Sequence, residues 1–131
     1  MLVKGTSRET HRIGDLHMAP GLGLLRDTVI DQHFAERGRF GRLLGAVAHN
    51  PRVLGIGIDE DTAAIVHDGR IRVVGAGAVY IVDATKVSHS NVAEARSDVT
   101  LSIHDVTVHV LATGDEFHLA DRRPRPCRTD D

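Results

Sequence analysis

Residues 62–84 read TAAIVHDGRIRVVGAGAVYIVDA, and two folds compete for them. Gly75 and Gly77 have the first spacing of a dinucleotide fingerprint, which would put a helix next and a nucleotide-binding crevice at its start. Position 80, however, is Tyr where that motif needs Gly or Ala, and VYIVD is β-prone where the helix should begin. The runs on either side of Asp68-Gly69 are rich in β-branched residues, and Asp-Gly between such runs is a strong hairpin signal. The stretch is therefore expected to be antiparallel β, with a hairpin or bulge at Gly75–Gly77.

The same β reading extends downstream. VTLSI (99–103) and VTVHVL (106–111) flank His104-Asp105 and are expected to pair as strands. Between the two β regions, TKVSHSNVAEARSD (85–98) is polar and expected to be loop. Residues 120–131, ending in DRRPRPCRTDD, are charged and Pro-rich and are expected to be a frayed tail.

Upstream the pattern is different. Phe40, Leu43, Leu44 and Val47 fall at i, i+3, i+4 and i+7, one face of a helix. Asn50-Pro51 ends it, because the residue before a proline avoids the helical region. TVID (28–31) and VLGIGID (53–59) bracket the helix as short strands. Residues 1–15 are polar and read as irregular, and LHMAPGLGLL (16–25), broken by Pro20, Gly21 and Gly23, reads as a buried loop or turn before a strand. The coarse order is loop, strand, helix, strand, then an antiparallel β region.

Composition bounds the function. The 131 residues suit one domain, and 41% hydrophobic residues suffice for a core. With a net charge of -2, no general attraction to nucleic acid or to an anionic membrane is implied. A lone Cys127 makes neither an internal disulfide nor a Cys-rich metal site. MLVKGTSRETHR has no apolar run of signal-peptide length, and no segment is long enough to span a membrane, so a cytoplasmic protein is expected.

Three motifs invite chemistry. Nine histidines raise a metal site, but none makes an HExxH pair or clusters with two acids at ligand spacing. Gly5-Thr6-Ser7-Arg8-Glu9 begins like a nucleophile elbow, but Glu9 replaces the second Gly and no strand is read before Gly5. DQHFAERGRFGR (31–42) is stronger: one histidine sits beside Asp31, with Arg37, Arg39 and Arg42 following. Guanidiniums so close together call for an anion, and planar carboxylates suit them. The cluster lies where a strand ends and a helix begins, a common binding position in α/β sheets. Nearby cations favour a neutral His33, able to act as a general base. Asp59, Glu60 and Asp61 end the next strand and offer an acid to orient it, although a simple acidic turn explains them equally well.

Together, MAPGLGLL, DQHFAERGRFGRLL, GIGIDEDTA and HVLATGDEFHL resemble the C-terminal half of cyanophycinase, from about Ile13 to Leu119. That family is made of serine exopeptidases related to aspartyl dipeptidase. The resemblance implies an α/β fold, the C-terminal part of a glutamine-amidotransferase-like (flavodoxin-like) sandwich. It implies hydrolysis of cyanophycin, a poly-aspartate backbone with arginine on each side-chain carboxyl, to β-Asp-Arg dipeptides, or of shorter β-aspartyl peptides. No metal or organic cofactor, no nucleic acid and no membrane partner are implied, and a homodimer is a possible assembly. By match, His33 is the triad histidine and Glu60 its acid, while Asp31, Gln32, Arg37, Arg39 and Arg42 line the substrate pocket. The family's serine elbow lies upstream of MAPGLG, and no residue here matches it. The expectation is a partial cyanophycinase domain over 1–131, inactive alone and poorly stable without a partner for its missing half. The alternatives are a non-catalytic binding remnant, one half of a split enzyme and a metal-binding β protein.

Overall fold

A computed structural model describes residues 2–5, 16–19, 21–34, 40–93 and 98–128. Its centre is a four-stranded mixed sheet in which residues 107–111, 79–83, 54–58 and 28–32 lie side by side in that order. β3 (Thr28–Gln32) and β4 (Leu54–Ile58) run parallel, joined through α1 (Phe40–His49). β7 (Val79–Asp83) lies antiparallel to β4, and β10 (Thr107–Leu111) antiparallel to β7. A second, wholly antiparallel sheet has the order β12-β11-β6-β5, built from β5 (Thr62–His67), β6 (Arg70–Gly75), β11 (Glu116–His118) and β12 (Arg123–Arg125). Two short pairs complete the described elements: β1 (Leu2–Gly5) with β2 (Leu16–Ala19), and β8 (His89–Ser90) with β9 (Ile103–His104). Among the described residues the chain is thus mostly β, with one parallel βαβ unit.

Side-chain alternation sets the layers. Val29, Val82 and Ala84 point to one face of the mixed sheet and pack with Leu43, Ala46 and Val47 of α1. Leu54, Ile56, Val79, Ile81 and Leu111 point to the other face and meet Ile71, Val73 and Phe117 of the antiparallel sheet. Burying each of the Val, Leu, Ile and Phe side chains among these stabilises the fold by roughly 1.5–3 kcal/mol. The helix comes close because β4 presents glycine to it: a Cβ on Gly55 would stand 2.9 Å from a Val47 methyl carbon. The buried face of α1 is therefore Gly41, Leu43, Ala46, Val47 and Ala48, while Leu44 and Phe40 sit at its margin. Small residues, rather than the expected Phe40/Leu44 pair, share the contact with Leu43 and Val47.

The Asp68-Gly69 hairpin is present, with both residues at positive φ, 47° and 69°. Gly75–Ala78 is neither a hairpin nor a bulge. β6 and β7 belong to different sheets, and this segment carries the chain between them. The fingerprint reading fails as expected, because strand β7 follows Gly77 instead of a helix.

Other expectations are corrected. Residues 2–5 form β1 where irregular chain was read, so a strand does precede Gly5. Residues 16–19 form β2, and Leu22 and Leu24 stand 91% and 92% exposed, so the buried-loop half of that reading fails, while the chain does bend at Leu24–Leu25 into the turn before β3. Residues 99–103 and 106–111 do not pair with each other: β10 joins β7, and Ile103-His104 joins His89-Ser90 inside the stretch read as loop. The tail is not frayed through 120–128. β12 pairs with β11, and the Cys127 N–H donates to Asp115 Oδ1 at 2.7 Å.

Candidate functional site

β3 and β4 are parallel, so their carboxyl ends lie side by side, with Gln32 in register with Ile58. The residues just beyond those ends are His33 and Phe34 on one strand, and Asp59 and Glu60 on the other. This edge is where open α/β sheets place their ligands.

His33 occupies the left-handed region at φ 52°, unusual for a residue with a Cβ, and the turn swings its ring toward Glu60. His33 Nδ1 lies 2.6 Å from Glu60 Oε1. A neutral ring that donates its Nδ1–H to the carboxylate carries its lone pair on Nε2, the arrangement a general base needs. The two side chains are 45% and 37% exposed, so a substrate can reach them.

The backbone under His33 is pinned from the next residue. The Phe34 N–H donates to Ile58 O at 3.2 Å. The Phe34 ring is buried over Gly57, where any Cβ would fall 2.6 Å from ring carbons. Phe34 also packs edge-on to Phe40 and lies 4.9 Å, centroid to centroid, from Tyr80. His33 is thus carried on an anchored turn.

Glu60 is held by a second set of contacts. The Thr62 hydroxyl donates to Glu60 O at 2.9 Å and accepts from the Gly77 N–H at 2.9 Å. The Ala76 N–H donates to Asp61 O at 2.9 Å. Asp59 Oδ2 accepts from the Ala78 N–H at 3.1 Å, and the Tyr80 hydroxyl donates to the same side chain. Burial, together with the charge of Asp59 and this hydrogen bond, pushes the Tyr80 hydroxyl above its ordinary pKa. The Gly75–Ala78 crossing thereby clamps the turn that presents Glu60.

Asp31 and Arg42 form a separate pair. Asp31 is 3% exposed on the helix face of β3, and it receives Arg42 from the first turn of α1. Nε donates to Oδ2 at 2.9 Å, and Nη2 closes the fork on Oδ1. The Arg42 fork is filled by this carboxylate. Gln32 is exposed at the end of β3. Arg37, Arg39 and Ser7 lie outside the described residues. Among the described residues, no three His, Cys, Asp or Glu side chains gather as a metal-binding set.

Sequence reasoning paired His33 with the 59–61 acids but missed Phe34, Gly57, Thr62, Gly77 and Tyr80. The alternating glycines of GIGID were the available signal for Gly57, since a strand glycine marks close approach of another group. Thr62 and Tyr80 carry no local signal.

No family model matches the chain. It is 45% identical over 127 residues to cyanophycinases of Trichormus variabilis and of a Nostoc species, covering 96% of this chain and 43% of each relative. It is 42% identical over 120 residues to the cyanophycinase of Synechococcus elongatus, covering 91% of this chain and 37% of that relative. The chain therefore spans less than half the length of the curated relatives it matches.

Proposed function

We propose that this chain, cyanophycinase-like over 96% of its residues, supplies the base and its orienting acid to a serine-peptidase site that degrades cyanophycin. The observation that carries this reading is the 2.6 Å contact of His33 Nδ1 with Glu60 Oε1 at the carboxyl ends of two parallel strands. In that role His33 Nε2 takes the proton of a serine hydroxyl as it attacks the peptide carbonyl. Glu60 stabilises the imidazolium, and the proton then passes to the departing amine. Arg37 and Arg39 receive the free carboxylates of the aspartyl chain end as forks. Asp31 and Arg42 brace the start of α1 against β3, beside Gln32. The βαβ unit is in this reading the end of a larger flavodoxin-like sheet, since β3 has β4 as its one sheet partner among the described residues.

None of the 131 residues forms a Gly-x-Ser-x-Gly elbow. The nucleophile and its oxyanion donors come, on this reading, from a segment outside them, on the same chain or on another, and these residues are inactive alone. The test is an assay of β-Asp-Arg release from cyanophycin. The 131-residue chain is assayed pure, then mixed with the part of the Trichormus variabilis cyanophycinase that it does not match. No release alone and turnover on mixing, lost in His33→Ala, is the expected result. Robust release by the pure chain overturns the division of labour. Turnover on mixing that survives His33→Ala overturns the assignment of the base.

A further inference from the structure

The solvent face of the antiparallel sheet carries charges that the site above does not use. Register places Ile65, Arg72, Glu116 and Arg125 in one cross-strand row, and His67, Arg70, His118 and Arg123 in the next. Four arginines thus share one face of a chain whose net charge is -2. Arg125 lies 3.5 Å from Asp121, and Glu116 lies 3.6 Å from His118. Arg70, Arg72 and Arg123 make no ion pair or side-chain hydrogen bond among the described residues. A shallow cavity of about 430 Å³ opens on this face, lined by Ile65, His67, Asp68, Arg70, Arg72 and Glu116.

Unpaired guanidiniums along a strand are a repeating receptor. Arg70 and Arg72 are two residues apart on β6, so their side chains leave the sheet about 6.6–6.8 Å apart. An extended poly-aspartate presents alternate side chains at the same period. The charge is mixed as well: Asp68, Glu116 and Asp121 stand among the arginines. A polyphosphate meets repulsion from those acids. A polymer whose every side chain carries both a carboxylate and a guanidinium finds partners for both. The face also adjoins the site, because Ile65 follows Glu60 by five residues, at most about 18 Å of extended chain.

We propose that this sheet face is a second binding surface, for the body of a zwitterionic aspartyl-arginine polymer whose end occupies the His33–Glu60 site. The proposal rests on the functional reading above and deepens it. Arg70, Arg72 and Arg123 hold successive carboxylates of the polymer, while Glu116 and Asp68 hold its guanidiniums. The pocket at His33 needs one repeat, whereas the sheet face needs several.

The test is an NMR titration of the isotope-labelled full chain with three probes: the β-Asp-Arg dipeptide, a multi-arginyl-poly-aspartate oligomer of about six repeats, long enough to span the sheet face, and duplex DNA. The oligomer should shift the Arg70, Arg72 and Arg123 side-chain resonances, and the dipeptide should shift only those near His33. The triple variant Arg70→Gln, Arg72→Gln, Arg123→Gln should weaken oligomer binding by about tenfold or more while leaving dipeptide binding within about twofold, as expected for independent sites. Unchanged oligomer affinity in that variant, or DNA bound as tightly as the oligomer, overturns the proposal. Should the dipeptide shift His33 while the oligomer ignores the sheet face, this inference alone fails. Should neither ligand bind anywhere, the functional reading fails with it.

Discussion

Arg42, in the first turn of α1, closes a two-point fork on Asp31 at the end of β3. The carboxylate is buried and the guanidinium nearly so. The pair therefore fixes the start of the helix against the strand that carries His33, and it does so with charges that water cannot replace. Removing Asp31 leaves the Arg42 guanidinium without the carboxylate that fills its fork, which costs roughly 3–5 kcal/mol. Asp31→Ala should lower stability by that amount. Arg42→Lys keeps the charge but loses the fork, and should cost about 1.5–3 kcal/mol. Urea unfolding midpoints decide the matter: an Asp31→Ala loss below about 1 kcal/mol, the scale of an exposed ion pair, would show that the fork does not brace the fold.

The His33–Glu60 contact should behave in the opposite way. Both groups are more than one-third exposed, so their mutual attraction is screened and adds little to folding. Glu60→Gln should change the unfolding free energy by less than about 1 kcal/mol. In the peptidase proposed above, the same variant should reduce turnover by about 10³–10⁴, because the imidazole would lose both its tautomer and its counter-charge. Equal losses in stability and rate would identify the pair as structural. A rate close to that of the unaltered chain would remove Glu60 from the mechanism.

How much of this was legible in the sequence follows from the range of each interaction. The Asp68-Gly69 hairpin, α1 and its stop at Asn50-Pro51 are local: adjacent residues decide their backbone angles. The partner of β10 is not local. Val106–Leu111 is as good a neighbour for residues 99–103 as for β7, and the buried face of β7 settles the choice. β12 was missed because Pro124 argues against a strand, yet an edge position needs no N–H from it. In the site, the residues offered His33 one of the acids at 59–61 because they close the next strand, and the resemblance, not the spacing, singled out Glu60. The Gly75–Ala78 clamp was not legible, since its contacts join two sheets whose stacking no short window records.

That clamp makes a prediction about glycine. Gly69 sits in the hairpin turn at φ 69° with open space where a Cβ would go, so Gly69→Ala meets only the left-handed backbone penalty, about 1–2 kcal/mol. Gly75 has φ 130°, and a Cβ there would lie 2.2 Å from Asp61 O, a backbone atom with no freedom to retreat. Gly75→Ala should therefore cost more than Gly69→Ala and should also displace the turn that presents Glu60. Amide shifts at Asp59–Thr62, recorded beside the unfolding midpoint, separate the two effects. Equal destabilisation with unmoved shifts at that turn would mean that the crossing does not hold it.

Asp83 gives the pH dependence. Its partial burial works to raise its pKa, but the Thr85 N–H and hydroxyl and the Arg122 guanidinium outweigh that and hold the carboxyl below its ordinary value. A depressed folded-state pKa means that the unfolded chain takes up the proton first. The stabilisation is complete above the unfolded value, about 3.9, and is lost as pH falls through the lower folded value. Arg122 also donates to Arg52 O, tying the turn before β12 to the segment before β4. Acid should thus loosen the tail strand as well as the end of β7. Stability measured in urea should fall below about pH 4 in the unaltered chain, and Asp83→Asn should be less stable at neutral pH and flatter across that acid window. Parallel pH profiles for the two proteins would show that Asp83 is not a source of the acid sensitivity.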